Sequence, residues 1–374
     1  MDFIDLSAQQ KIIRKKIDKR ISDVLDHGQY IMGPEVFQLE EKLKSYVDIK
    51  HCISCSSGTD ALIIPLMAKG IGPGDAVITT SFSYIATAEA IAFLGATPIF
   101  CDIYPKTFNL DPNGLEEAYN KAVSKGFKPK AIISVDLFGL PARYRLINEF
   151  AKSKNLFLIE DAAQGFGGKI GNRRACTFGD VSATSFFPAK PLGGYGDGGA
   201  IFTNDGEFAE KMRSIRVHGG GKDKYNNIRL GLNGRLDTLQ AAILIEKLSI
   251  FDSEIKMRNK IAKIYSKNLS SNFIKPHIPN KYFSSWAQYS IIIKDVKERD
   301  KVISSLKKNG IPSMIYYKIP LHLQKVFNYL GYKTGELPIS ENISNKILSL
   351  PMHPYLKNSD QEFIIDKLKE ISND

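Results

Sequence analysis

A chain of 374 residues is long enough for about two domains with sizeable cores. Its 43% hydrophobic and 24% charged content is that of a soluble globular protein, and no apolar run approaches the roughly 18–20 residues of a membrane span. Lysine and arginine outnumber the acids by 11, yet they are scattered and mixed with acids, as in KMRSIRVHGGGKDK. With no dense basic tract, the charge argues against nucleic-acid binding and suits attraction for a small anionic ligand.

The opening MDFIDLSAQQKIIRKKIDKR lacks the apolar core of a signal peptide, so the sequence predicts a cytoplasmic protein. Four cysteines are too few for a disulfide framework in a chain of this length. Cys52 and Cys55 sit on a short apolar run, HCISC, where residues three apart point to opposite faces. They read as small buried residues, and no metal site is predicted.

From residue 51 to about 205, short apolar runs alternate with helical patterns. The runs are HCISC (51–55), AVITT (76–80), ATPIFCDI (96–103), AIISVDL (131–137), LFLIED (156–161), SATSFF (182–187) and GAIFTN (199–204). Several are β-branched and continuous, which suits strands buried on both faces. Between them lie helix patterns such as 59–70 and 114–125. This alternation predicts an α/β fold with a mostly parallel sheet covered by helices. Residues 238–269 read as one long or bent helix. Beyond it come a strand-like WAQYSIIIK (286–294), a helix around ERDKVISSLKKNG, and a proline-dotted stretch from 311 to 356. The expected division is a large domain over 1–255, with an N-terminal helical segment, and a smaller α+β domain over 256–374.

Three features fall at the C-terminal ends of predicted strands, where open α/β sheets place ligands. Ser56-Ser57-Gly58-Thr59-Asp60 opens a helix and presents free N–H groups to an anion, though an ordinary helix cap has the same look. Glu160-Asp161 ends a buried strand, where a carboxylate is costly unless its charge is used. A metal, a ribose or a helix cap would each explain that acid. Lys190 is flanked by Pro191 and preceded by Pro188-Ala189, and five glycines fall among residues 193–199. Such a loop lets backbone approach a ligand closely, and a partly desolvated lysine can act as a nucleophile. A phosphate turn, a carboxylate and a lysine on one sheet together make a site for pyridoxal 5'-phosphate (PLP), which needs all three.

With SSGTDAL, TSFSYIATAEAI, IEDAAQ, SFFPAKPLGGYGDGGAIFTND, LNGRLDTLQAAIL and SLPMHPYL in this order, the sequence resembles the DegT family of nucleotide-sugar aminotransferases nearly end to end. The likeness is strongest to the branch that aminates C3 of UDP-2-acetamido-3-keto sugars, notably 3-keto-glucuronate. The resemblance implies the fold type I (aspartate aminotransferase-like) architecture, with a central, mostly parallel seven-stranded sheet and a smaller C-terminal α+β domain. It implies that Lys190 holds PLP as a Schiff base and moves protons, and that Asp161 faces the pyridinium nitrogen. Gln164 would contact the ring hydroxyl and Tyr84 would stack on the ring. Gly58, Thr59 and Ser185 would bind the cofactor phosphate. It also implies a homodimer with shared active sites, in which Asn233 of the partner subunit reaches that phosphate and Arg235 of the partner subunit meets the substrate. His322 and His353 would lie on the sugar side. The reaction implied is a ping-pong transamination from L-glutamate to a UDP-linked keto-sugar, in surface polysaccharide or lipopolysaccharide synthesis.

Family members often carry serine or tyrosine where Gly234 stands, so this position bears on which sugar is used. A C4-keto-sugar aminotransferase would keep every cofactor residue, and a non-catalytic, ligand-sensing regulator on the same fold is the rival from another class. A dehydratase of this family would replace the lysine with histidine, which Lys190 argues against.

Overall fold

The computed structural model describes residues 1–223 and 225–373. Two helices, α1 (Leu6–His27) and α2 (Pro34–Val47), precede the first strand, β1 (His51–Cys55). The pattern then alternates: α3 (Gly58–Lys69), β2 (Asp75–Thr80), α4 (Ala86–Phe93), β3 (Thr97–Cys101), α5 (Leu115–Ser124), β4 (Lys128–Val135), α6 (Tyr144–Ser153) and β5 (Phe157–Asp161). After β6 (Val181–Ser185), β7 (Gly199–Thr203) and α7 (Gly206–Arg216) comes the 31-residue α8 (Thr238–Asn268). The C-terminal part holds β8 (Phe273–Ile274), β9 (Tyr289–Ile293), α9 (Val296–Lys308), α10 (Pro338–Lys346), β10 (Ile347–Leu350) and α11 (Asn358–Asn373).

Seven strands form one sheet in the order β1-β7-β6-β5-β4-β2-β3. Neighbours pair in parallel from β6 across to β3, whereas β7 runs antiparallel to both β1 and β6. The continuous apolar runs are explained by burial of each sheet face under its own core. Cys52, Ile78, Ile132 and Leu158 face one, and Cys55, Val77, Ile133 and Ile159 face the other. Cys52 and Cys55 thus point to opposite faces, and all four cysteines are buried and free.

Helix α8 passes from one core to another. Phe251 and Ile255 pack into the sheet core, while Ile261, Ala262 and Tyr265 enter the core built with β9, β10 and α11. The three-stranded antiparallel sheet β8-β9-β10 lies in this second part. The proline-dotted stretch returns to the large sheet. Leu321, Phe327 and Leu330 pack on Ala88 and Phe100, and Ile343 and Ile347 pack with Phe82 and Val135. No helix among the described residues is long and apolar enough to cross a membrane.

Phe251 anchors α8 to the sheet, fully buried with its ring 5.4 Å from that of Phe166 and 5.7 Å from that of Tyr46. Replacing it with alanine is expected to lower the unfolding free energy by about 3–5 kcal/mol, read from the urea midpoint at unchanged slope. A loss below ~1 kcal/mol would contradict this placement.

Candidate active site

Parallel strands end together, and the register aligns Val135 of β4 with Asp161 of β5, and Asp161 with Ala183 of β6. Ser185, two residues further along β6, faces Gly199, and Gly199 also faces Cys55 of β1. The phosphate turn, the carboxylate and the lysine loop therefore meet at one rim of the sheet. They line a cavity of ≈440 Å³, together with Tyr84, Gln164 and Tyr317.

Ser57 is extended, and its hydroxyl accepts from Asp60 N at 3.0 Å, which starts α3. The first-turn N–H groups of Gly58 and Thr59 have no partner within the helix and carry its positive dipole end. A β-carbon on Gly58 would stand 2.6 Å from Ser185 Cβ, so only glycine permits this approach. An anion at this turn would meet two N–H groups and the hydroxyls of Thr59 and Ser185.

Glu160 and Asp161 are consecutive on a strand and separate to its two faces. Glu160 accepts from Cys176 N, Phe178 N and the Ser182 hydroxyl, each at 2.7 Å, and is a buried structural acid. Asp161, 4% exposed, turns to the cavity, accepting from Thr87 Oγ1 at 2.8 Å and Ala163 N at 3.1 Å. Burial raises its carboxyl above the ordinary range, while those two hydrogen bonds and the charge of Lys190 hold it back. The reverse holds for Lys190, whose ammonium is lowered by desolvation and supported by Asp161. The two groups are opposite charges in one poorly solvated chamber.

The loop bearing Lys190 is closed by its own backbone. Phe186 N donates to Gly198 O and Gly194 N to Phe186 O, both at 2.7 Å, and Lys190 N donates to Phe187 O at 2.8 Å. A β-carbon on Gly193 would lie 2.4 Å from Pro188 O. The glycine run is what lets this loop fold so tightly.

Gln164 is pinned at both ends: Oε1 accepts from Phe138 N at 2.7 Å, and Nε2 donates to Tyr317 Oη at 3.0 Å. Tyr84 lines the cavity and is 57% exposed, leaving its ring available to a flat ligand. Of the predicted residues, Gly58, Thr59, Tyr84, Asp161, Gln164, Ser185 and Lys190 all line this one cavity.

Four others do not. Arg235 Nε donates to Asn233 Oδ1 at 3.0 Å on a segment beside β1, where Asn233 is exposed and Arg235 half-buried. The carbonyl of Gly234 between them accepts from Ser56 N at 3.0 Å. A β-carbon there would meet only ordinary contacts with Ile64 and Asp60, so packing does not demand glycine. His322 is buried away from the cavity, its Nε2 3.0 Å from Glu341 Oε1 and its ring edge-on to Tyr332. His353 lines a separate small cavity behind Lys190. Neither histidine lines the large cavity.

Sequence reasoning missed Thr87, Gln288, Tyr316 and Tyr317, all on the cavity wall. Thr87 lies within the TSFSYIATAEAI segment, one turn after Ser83, to whose hydroxyl it is bonded at 3.1 Å. The two tyrosines arrive from the proline-dotted stretch, where nothing periodic marks them.

Residues 11–369 match the model of the DegT/DnrJ/EryC1/StrS aminotransferase family. Over 365 residues the chain is 47% identical to the UDP-2-acetamido-2-deoxy-3-oxo-D-glucuronate aminotransferase of Pseudomonas aeruginosa, covering 97% of this chain and 98% of that one. It is 43% identical to a pleiotropic regulatory protein of Geobacillus stearothermophilus, covering 98% and 97%. The crystal structure of a DegT DnrJ EryC1 StrS aminotransferase from Brucella abortus matches with a TM-score of 0.96 at 48% identity, over 100% of both chains. The chain belongs to the DegT/DnrJ/EryC1/StrS aminotransferase family, has its α/β fold, and takes pyridoxal phosphate as cofactor.

Proposed function

We propose that this protein transfers an amino group from L-glutamate to C3 of a UDP-linked 2-acetamido-3-keto sugar, of the 3-keto-glucuronate or 3-keto-glucose type. The observation that carries the reading is the cavity that unites Lys190, Asp161 and the Gly58–Thr59 turn in a chain 47% identical to a UDP-3-oxo-sugar aminotransferase. The product would be a UDP-2,3-diamino sugar for surface polysaccharide or lipopolysaccharide. The reading places the enzyme in the cytoplasm, in keeping with four free, buried cysteines. It also makes it a homodimer, in which Asn233 and Arg235 would serve the partner's cavity.

The residues fit the cofactor. When bound, PLP supplies an electron sink for charge developing at the carbon next to nitrogen. Gly58, Thr59 and Ser185 would hold its phosphate. Asp161, fixed by Thr87 and Ala163, would keep a proton on the ring nitrogen, and that positive charge relieves the buried carboxylate. Gln164 keeps one amide hydrogen beyond its bond to Tyr317, and would offer it to the ring hydroxyl. Tyr84 would cover the ring face. With its ammonium lowered by burial, the Lys190 amine is closer to its neutral form, in which it can take a proton from the donor's Cα and return one to the product.

One relative has a regulatory name, but the family model and the other relatives named above are aminotransferases, and a ligand sensor is not favoured. A sensor has no need of the Lys190–Asp161 pair, whereas a transaminase depends on it.

Lys190→Ala is expected to abolish turnover, by at least about a thousandfold, with circular dichroism unchanged. Full activity in that variant would refute the role of Lys190. Gly58→Ala should weaken cofactor binding by about tenfold or more in a fluorescence titration, because the turn must shift from Ser185. Offered UDP-linked 3-keto and 4-keto sugars beside glutamate, the enzyme should aminate the 3-keto substrates. Amination of the 4-keto sugar alone would overturn the regiochemistry.

A further inference from the structure

Lys190 lines two cavities. The second, of ≈20 Å³, lies behind it, and its walls include Pro188, Pro191 and Gly193 of the lysine loop. The remaining walls come from α8, the N-terminal segment and the stretch around His353.

On α8, Gln240, Lys247 and Glu254 recur every seven residues, two helical turns apart, with Arg258 one turn further. Such a polar stripe ordinarily faces water. Here Lys247, Glu254 and Arg258 are 1%, 2% and 4% exposed. The stripe faces inward instead, and its first two residues meet the lysine loop. Gln240 Oε1 accepts from Tyr195 N at 2.8 Å, and Lys247 Nζ stands 4.6 Å from the centre of the Tyr195 ring. Glu254 Oε1 accepts from Gln9 Nε2 at 2.8 Å and from Tyr355 Oη at 2.5 Å. Arg258 Nη1 donates to the carbonyls of Trp286 at 3.0 Å and Met352 at 3.2 Å.

Three buried polar atoms of residues on these walls have no protein partner: Gln9 Oε1, Arg258 Nε and His353 Nδ1. Buried polar groups left unbonded are costly, and a polar cavity of this size takes one water. Resting on the assignment of Lys190 as the reactive lysine, we propose that one buried water completes the polar stripe of α8, and that Lys247 is a positioning residue holding the Lys190 loop through Tyr195. The lysine that does the chemistry would then be held from behind by a second lysine that never meets the substrate. The Tyr195 ring lies against Lys247, and the titratable groups facing the same cavity are Lys190 of the loop, Glu254 and Arg258 of α8, Asp5 of the N-terminal segment, and His353 and Tyr355. Burial brings its ammonium down to about 8, with Glu254 opposing the fall. Its charge, and with it the hold on the Tyr195 ring, is complete below that pH and fades above it.

The test uses holoenzyme. In Lys247→Met, with cofactor bound, kcat is expected to fall about tenfold while KM for the amino donor stays within about twofold. The pH midpoint of the bound cofactor's absorbance should also move. Lys247→Arg, which keeps a cation over the ring, should recover most of both. Wild-type kcat and midpoint in Lys247→Met overturn the positioning role. Tyr195→Leu removes the ring instead of the charge, and covers the case in which Lys247→Met does not fold. It should shift the same midpoint, and an unmoved midpoint overturns the proposal. A crystal structure of the wild-type holoenzyme should show one water within hydrogen-bond reach of Gln9 Oε1 and Arg258 Nε, and a dry cavity overturns that part. A wild-type protein that takes up no cofactor defeats the functional reading itself, and is seen before either variant is made.

Discussion

Asp161 is a carboxylate held inside the protein at the end of the central strand β5, and the arrangement of the site follows from that. Water reaches it poorly, so its charge must be met by what the chain or a ligand brings. Thr87 and Ala163 supply two hydrogen bonds, and Lys190 supplies an opposing charge. These offset the burial only in part, since the carboxyl still lies above its usual range. A ligand with a protonated ring nitrogen would supply what is missing. The same burial lowers the ammonium of Lys190, so one desolvated chamber prepares both an acid partner and a basic amine.

Holding that pair in place requires a frame that does not yield. The sheet delivers Asp161 and Ser185 on adjoining parallel strands, and β7 returns antiparallel so that Gly199 closes the lysine loop against them. Close approaches at Gly58 and Gly193 leave no room for side chains, so these two glycines fix how tightly the turn and the lysine loop pack. The C-terminal region adds its own wall. Tyr317 reaches across to Gln164, so the proline-dotted stretch is tied to a residue on the opposite wall of the cavity.

Much of this could be read from sequence because parallel strands buried on both faces are continuous apolar runs. All seven main strands fall within two or three residues of expectation, and the ends differ for physical reasons. The run 96–103 stops pairing after Cys101 because Asp102 turns to cap α10, accepting from Ile339 N and Ser340 N. The run 131–137 stops at Val135 because Leu137–Gly139 winds into a short 3-10 turn, with Phe138 at φ +57°. The run to Phe187 stops at Ser185, since Phe186 N bonds to Gly198 O instead of a neighbouring strand. What sequence pattern could not convey is contact between distant segments. Thr87 and Tyr317 approach the site from elements far from Lys190 in the chain. The stripe Gln240, Lys247 and Glu254 has the period of an exposed helix face, and only the packed structure turns it inward. His322, flanked by apolar residues in IPLHLQ, is bound to Glu341, a partner that no local pattern announces.

The central claim is that Lys190 is the residue that bonds the cofactor. Borohydride reduction of protein incubated with pyridoxal phosphate, followed by peptide mass spectrometry, tests it most directly. One stoichiometric adduct is expected on the peptide containing Lys190, and its loss when L-glutamate is added before reduction. An adduct spread over surface lysines, or none at all, would contradict it.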